Sequence, residues 1–150
     1  MRTSRFIAIL GLTALLPSCA QDEQGRGNES CMEDRRGSLV EDAKLRGVDF
    51  RATGNEPPWI LEMGPAEIVV YTGYESVPHP FPAVEPRSDP DETLSEWATA
   101  DDSGRILHVA VWIPADGSAC LDSMSGERFE STVEITLDDR TLVGCGRALH

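Results

Sequence analysis

From residue 48 onward apolar residues recur at every second position, and that feature excludes a helical fold for most of the chain. Val48, Phe50 and Ala52 alternate with Asp49, Arg51 and Thr53, and Trp59, Leu61 and Met63 alternate with Ile60 and Glu62. A period of two places successive side chains on opposite faces of a strand, whereas a helix needs apolar residues three and four apart. Ile68 to Thr72 reads as a third strand, rich in β-branched residues and set off from the second by Gly64-Pro65. Leu94 to Ala100 and Arg105 to Ile113 read as a hairpin around Asp101-Asp102-Ser103-Gly104, with Leu107, Val109, Val111 and Ile113 on its core face. Val133, Ile135 and Leu137 form another strand, which turns at Asp138-Asp139-Arg140 into Thr141 to Cys145. Between these groups Pro78, Pro80, Pro82, Pro86 and Pro90 predict an irregular excursion, because proline cannot serve a central ladder. Neither side of the excursion holds enough apolar residues to stand alone, so it belongs to one domain and does not link two. The expected fold class is all-β: a small antiparallel β-barrel or sandwich of about six to eight short strands.

The amino-terminal end follows a different logic. Arg2 and Arg5 precede an uncharged, mostly apolar run from Phe6 to Leu16, and Leu16-Pro17-Ser18-Cys19 closes it. A membrane-spanning helix needs about 20 apolar residues, and this run is far shorter. A basic start, a short apolar run and small residues before a cut describe a secretory signal. The closing tetrapeptide resembles the bacterial lipobox, although Pro17 is unusual at its place. That resemblance implies cleavage before Cys19, a thioether-linked diacylglyceryl group on Cys19 and an acylated amino terminus. Several long chains, at about 0.8 kcal/mol per buried methylene, hold a protein on a membrane essentially permanently. Ala20 stands where lipoproteins kept in the inner membrane often carry Asp, which points to the outer membrane, facing the periplasm. The expected organisation is a signal peptide over 1–18, a lipidated Cys and flexible tether over 19–46, and a single β-rich domain over 47–150. A short helical turn is expected near Ser38 to Leu45.

Charge narrows the partners. The chain has 13 Lys and Arg against 26 Asp and Glu, and losing Arg2 and Arg5 with the signal takes the net charge from −13 to about −15. Such a surface argues against nucleic acid and anionic lipid headgroups as partners, and allows a basic protein without requiring one. With Cys19 lipidated, Cys31, Cys120 and Cys145 remain and cannot all pair within one chain. Cys120 and Cys145 lie in the domain and are the expected pair, with Cys31 left in the polar tail. Three reduced thiols, or a bond through Cys31 between two molecules, are the alternatives. Bridging 120 to 145 is worth roughly 3.5 kcal/mol by loop-closure entropy. No Cys-x-x-Cys spacing suggests zinc or redox chemistry.

Two stretches stand apart from ordinary strand and turn sequence. One is Gly54-Asn55-Glu56-Pro57-Pro58-Trp59; the other runs from Cys120-Leu121-Asp122-Ser123-Met124-Ser125-Gly126-Glu127-Arg128-Phe129 to Leu142-Val143-Gly144-Cys145-Gly146. Together they resemble a family of bacterial envelope proteins, many of them lipoproteins, with an early Gly-Asn-Glu-Pro-Phe-Trp segment and a late Cys-x-Asp-x-Met-Ser … Gly-Cys segment. The resemblance covers about residues 48 to 146, with Pro58 in place of Phe and Ser123 where Gly is common. It implies a secreted β-rich domain and the Cys120–Cys145 bridge, and it carries no activity. Read by their chemistry, Asn55 turns the backbone, Pro57 fixes it and Trp59 plugs one end of a barrel. Asp122 and Ser125 satisfy amides in a tight loop, Gly126 supplies unusual dihedrals and Met124 fills a gap. The alternative use of the same residues is a binding surface, with Asn55, Glu56, Trp59, Asp122, Met124, Ser125, Gly126 and Arg140 as its candidates.

A narrower resemblance concerns Ser125-Gly126-Glu127-Arg128-Phe129, which is similar to the Ser-Gly-x-x-Tyr loop of membrane-bound inhibitors of c-type lysozyme, also small β-barrel lipoproteins. In that family a Ser and a Lys bind the two carboxylates that glycoside hydrolysis requires. The resemblance implies that role for Ser125 and, in the next turn, Arg140, with an acidic domain steered toward a basic enzyme. Phe129 replaces the Tyr, and no Trp-x-Lys-Gly-like segment follows. An enzyme is not expected. His79, His108 and His150 lie in no motif with a nucleophile and a carboxylate. Asp89, Asp91 and Glu92 match no calcium loop, with Pro90 among them, and read as a solvated acidic turn. Glycine loops that cradle phosphates are absent, and no cofactor or metal is expected.

Overall fold

The computed structural model describes residues 37, 39–91 and 93–150. The signal segment, Cys19, Cys31 and Glu92 lie outside them. Eleven strands follow one another among the described residues. β1 (Phe50–Asn55), β2 (Pro58–Met63), β3 (Glu67–Thr72) and β4 (Val77–Pro82) form a meander. β5 (Arg87–Ser88), β6 (Leu94–Ala100) and β7 (Ile106–Trp112) come next, then β8 (Cys120–Leu121), β9 (Arg128–Phe129), β10 (Ser131–Leu137) and β11 (Arg140–Ala148). Nine of them make one antiparallel sheet in the order β4-β3-β2-β1-β11-β10-β7-β6-β5, while β8 and β9 pair with each other. The sheet curls into a half-barrel. Its concave face carries one apolar cluster, with Leu61, Val70, Leu107, Val133 and Ile135 fully buried. These are alternate residues of their strands, so the period-two pattern is the direct cause of the core. Ile113, expected on that face, lies beyond β7 and is 53% exposed.

The proline-rich segment departs from expectation, because residues 77–82 form a strand. Pro78, Pro80 and Pro82 stand opposite Tyr71, Val69 and Glu67, while His79 and Phe81 face Val70 and Ile68. In an antiparallel ladder, alternate pairs exchange hydrogen bonds. Prolines at every second position share one parity, so all the missing N–H groups fall on the outer edge and none on β3. An edge strand tolerates this, where a central one would not. The same edge has no amides to offer a tenth strand, and side chains span the gap instead. Thr99 Oγ1 of β6 donates to the Pro82 carbonyl at 3.0 Å. The two-residue strands β5, β8 and β9 are too short for alternation to show, and with β4 they raise the count above the six to eight expected.

The folded unit also reaches back into the expected tether. Residues 39–45 form a helix, α1, and Ala43 is buried against Val48 and Leu149. The helix ends at Gly47, at φ 81°, with Val48 N donating to Ala43 O (3.1 Å) and Gly47 N to Lys44 O (2.9 Å). That is a Schellman cap, in which a left-handed glycine lets the final carbonyls find donors. Arg46 then binds both oxygens of the buried Glu62 at 2.8 and 2.7 Å, with Arg51 Nε 3.4 Å away. The Ala43 cluster ties α1 to Val48, just before β1, and Leu149, just after β11, and the ion pair ties the residue that follows the helix to Glu62 of β2.

Candidate functional site

The two motifs meet. Cys120 and Cys145 form a disulfide with Cα atoms 5.6 Å apart, which fastens β8 to β11. Residues 122–127 span β8 and β9 as a tight loop. Its centre is Asp122. Asp122 Oδ1 accepts the amides of Met124 (3.1 Å) and Ser125 (2.6 Å) and the Ser125 hydroxyl (2.7 Å). Asp122 Oδ2 accepts Asn55 Nδ2 at 2.7 Å, so the early motif grips the late one. The backbone closes the turn through Gly126 N to Asp122 O (2.8 Å) and Asp122 N to Glu127 O (2.9 Å), with Gly126 at φ 68°. On the far side Arg147 pairs with Glu127 and lies 4.1 Å over the Phe129 ring.

Burial is the largest single influence on the Asp122 carboxyl and pushes its pKa up. Hydrogen bonds from the Ser125 hydroxyl and amide, Asn55 and Met124 outweigh it and leave the group below the ordinary value of 3.8. A carboxyl held lower in the folded state contributes stability that is whole above pH 3.8 and is lost as pH falls through the folded value. Asp122→Asn should therefore lower the melting temperature at pH 7, and the gap to the wild type should narrow as pH falls below the ordinary carboxylate value and through the lower folded one. Thermal melts across that range check it; a gap independent of pH would show that the charge is not what matters.

The remaining candidates divide between core and surface. Trp59 is 3% exposed, and its indole lies where a Cβ on Gly54 would sit 2.2 Å from Nε1 and one on Gly144 2.8 Å from Cζ2. Gly146 gives the same clearance to Phe50, at 2.5 Å from Cζ. The motif glycines thus make room for two rings, a packing role that the sequence reading did not assign them. Glu56 is exposed on the turn beside Asn55. Met124 is 76% exposed and fills no gap, and Leu121 is 58% exposed. Ser125 is exposed, with its hydroxyl hydrogen given to Asp122 and its oxygen accepting Glu127 N at 3.2 Å. Arg140 opens β11 and lines a cleft with Pro57, Pro58, Thr72, His79 and Arg105. Among the described residues no hydrogen bond joins Arg140 to the Asp122 loop.

Two acidic turns also proved built. Asp101 Oδ1 takes the amides of Ser103 and Arg105, both at 2.9 Å. Asp89, expected to be merely solvated, takes the amides of Thr93 (2.7 Å) and Leu94 (3.0 Å) and the Thr93 hydroxyl (2.7 Å). An Asp whose carboxylate answers amides two to five residues on is the recognisable signal in both cases. Among the described residues no helix is long and apolar enough to cross a membrane. No protein family, curated protein or solved structure matches the chain.

Proposed function

We propose that the chain is a lipid-anchored bacterial envelope protein, facing the periplasm from the outer membrane, whose β domain acts by binding another envelope component and not by catalysis. The observation that carries the binding role is the construction of the 120–129 segment. A disulfide, the Asn55–Asp122 bond and the Arg147–Glu127 pair tie it down from three sides, while Leu121 and Met124 stand 58% and 76% exposed. An apolar side chain on a loop already ordered costs little further entropy when a partner covers it, and the unbranched Met adapts to an uneven surface. The anchor rests on the segment from Arg2 to Cys19 and its resemblance to a lipobox.

Cys19→Ser should move the protein from the membrane pellet to the soluble fraction, while leaving the domain folded. Unchanged fractionation would remove the anchor from this account. A second reading, inhibition of a c-type lysozyme, is favoured by the acidic charge and by the exposed Ser125 loop. It is the weaker one, because the Ser125 hydrogen is already committed to Asp122 and a lysozyme carboxylate must displace it. Titration of a basic lysozyme with the wild-type chain and Ser125→Ala separates the two readings.

A further inference from the structure

The cleft at the β10–β11 turn concentrates positive charge in a strongly negative chain. It measures about 370 Å³, within the range of small-molecule sites. Two arginines line it, Arg105 and Arg140, with Asp138 the single acidic residue of the lining. Asp138 is 3.7 Å from Arg105 Nε and 61% exposed, so water screens that pair and it neutralises little.

Arg105 is held in place by a neutral acceptor. Its Nη1 donates to His79 Nδ1 at 2.7 Å. A guanidinium only donates, so Nδ1 accepts, and the ring hydrogen on Nε2 goes to Thr72 Oγ1 at 3.0 Å. The chain Thr72–His79–Arg105 therefore orients the guanidinium without cancelling its charge. Arg140 is exposed, and its guanidinium has no hydrogen bond or ion pair among the described residues. Pro57, Pro58, Leu137 and Leu142 line the same cleft and supply its apolar surface, Leu137 standing beside Arg140 as its cross-strand partner. Oriented forked donors beside an apolar wall suit a carboxylate or phosphate carried on a small apolar body.

From this arrangement we infer that the cleft binds a small organic anion, with Arg105 and Arg140 on the charged group and Pro57, Pro58 and Leu137 against the body. The site shares no residue with the 120–129 segment and stands independently of the binding role proposed for it.

The test uses the full chain carrying Cys19→Ser, titrated by calorimetry and by amide chemical shifts with benzoate, phenyl phosphate and, as the charge-reversed control, benzylamine. One of the anions is expected to bind at least about tenfold more tightly than benzylamine, a difference worth about 1.4 kcal/mol, with shifts centred on 72–73 and 137–140. Arg140→Gln should weaken that binding about tenfold, and Arg105→Lys, which keeps the charge and loses the fork, by less. Arg128→Gln, on β9, should leave it unchanged. Because the Arg140 guanidinium holds nothing in the fold, loss of binding there cannot be put down to unfolding. No saturable binding, equal binding of benzylamine, or indifference to Arg140→Gln would overturn the site.

Discussion

Gly144→Ala should lower the melting temperature of the domain by about 10 °C, the equivalent of roughly 3 kcal/mol. A Cβ at this position would sit 2.0 Å from the Thr53 carbonyl oxygen and 2.8 Å from Trp59 Cζ2. The first of these neighbours is backbone and cannot rotate aside. Thr53 is paired with Cys145, the next residue, so relief requires β1 and β11 to part at the centre of the sheet. Trp59 is walled in by the core and offers no retreat either. Gly37, with nothing within 4 Å of its added Cβ, should accept alanine with almost no change. A loss of under about 1 kcal/mol at Gly144 would mean that the two strands are not held as closely as described.

Removing the disulfide should cost about as much, by a different route. Cys120→Ala with Cys145→Ala frees a loop of roughly 26 residues in the unfolded chain, worth about 3.5 kcal/mol. Its local effect should be uneven. β8 and β9 belong to no part of the large sheet and are fastened to β11 by the bridge and the Arg147–Glu127 pair. The β10–β11 ladder, by contrast, runs from Ser131↔Gly146 to Leu137↔Arg140 on backbone pairing, Cys145 included opposite Thr132, and that pairing does not depend on the sulfur bridge. Hydrogen exchange in 120–129 should accelerate first, with the 131–137 amides still protected. Uniform loss of protection would instead make the bridge part of the barrel core.

The core was legible in the sequence because its cause is periodic. Leu107, Val109, Val133 and Ile135 alternate with polar residues, and each is 1% exposed or less. Asn55, Asp122, Ser125 and Gly126 could be picked out by type, since each answers a specific demand of a tight turn. Their meeting across 67 residues could not, because the Asn55–Asp122 bond follows from the place of β1 beside β11. The prolines of β4 misled for a physical reason: their cost to a strand depends on whether a neighbour exists on that side, and residue type is silent on that. Gly144 and Gly146 read as motif letters until the rings of Trp59 and Phe50 were placed against them. Asp89 and Arg105 gained their partners from neighbouring turns and strands, and a local reading sees only charge.

The most direct test of the binding role places a photoreactive residue at position 124 in the full chain in its own cells. Irradiation is expected to give one discrete adduct with an envelope component in the membrane fraction, weakened when Asp122→Ala loosens the loop and absent from a control at the exposed position 102. No adduct at 124 beyond the control at 102 would contradict the account and return the 120–129 segment to maintenance of the fold.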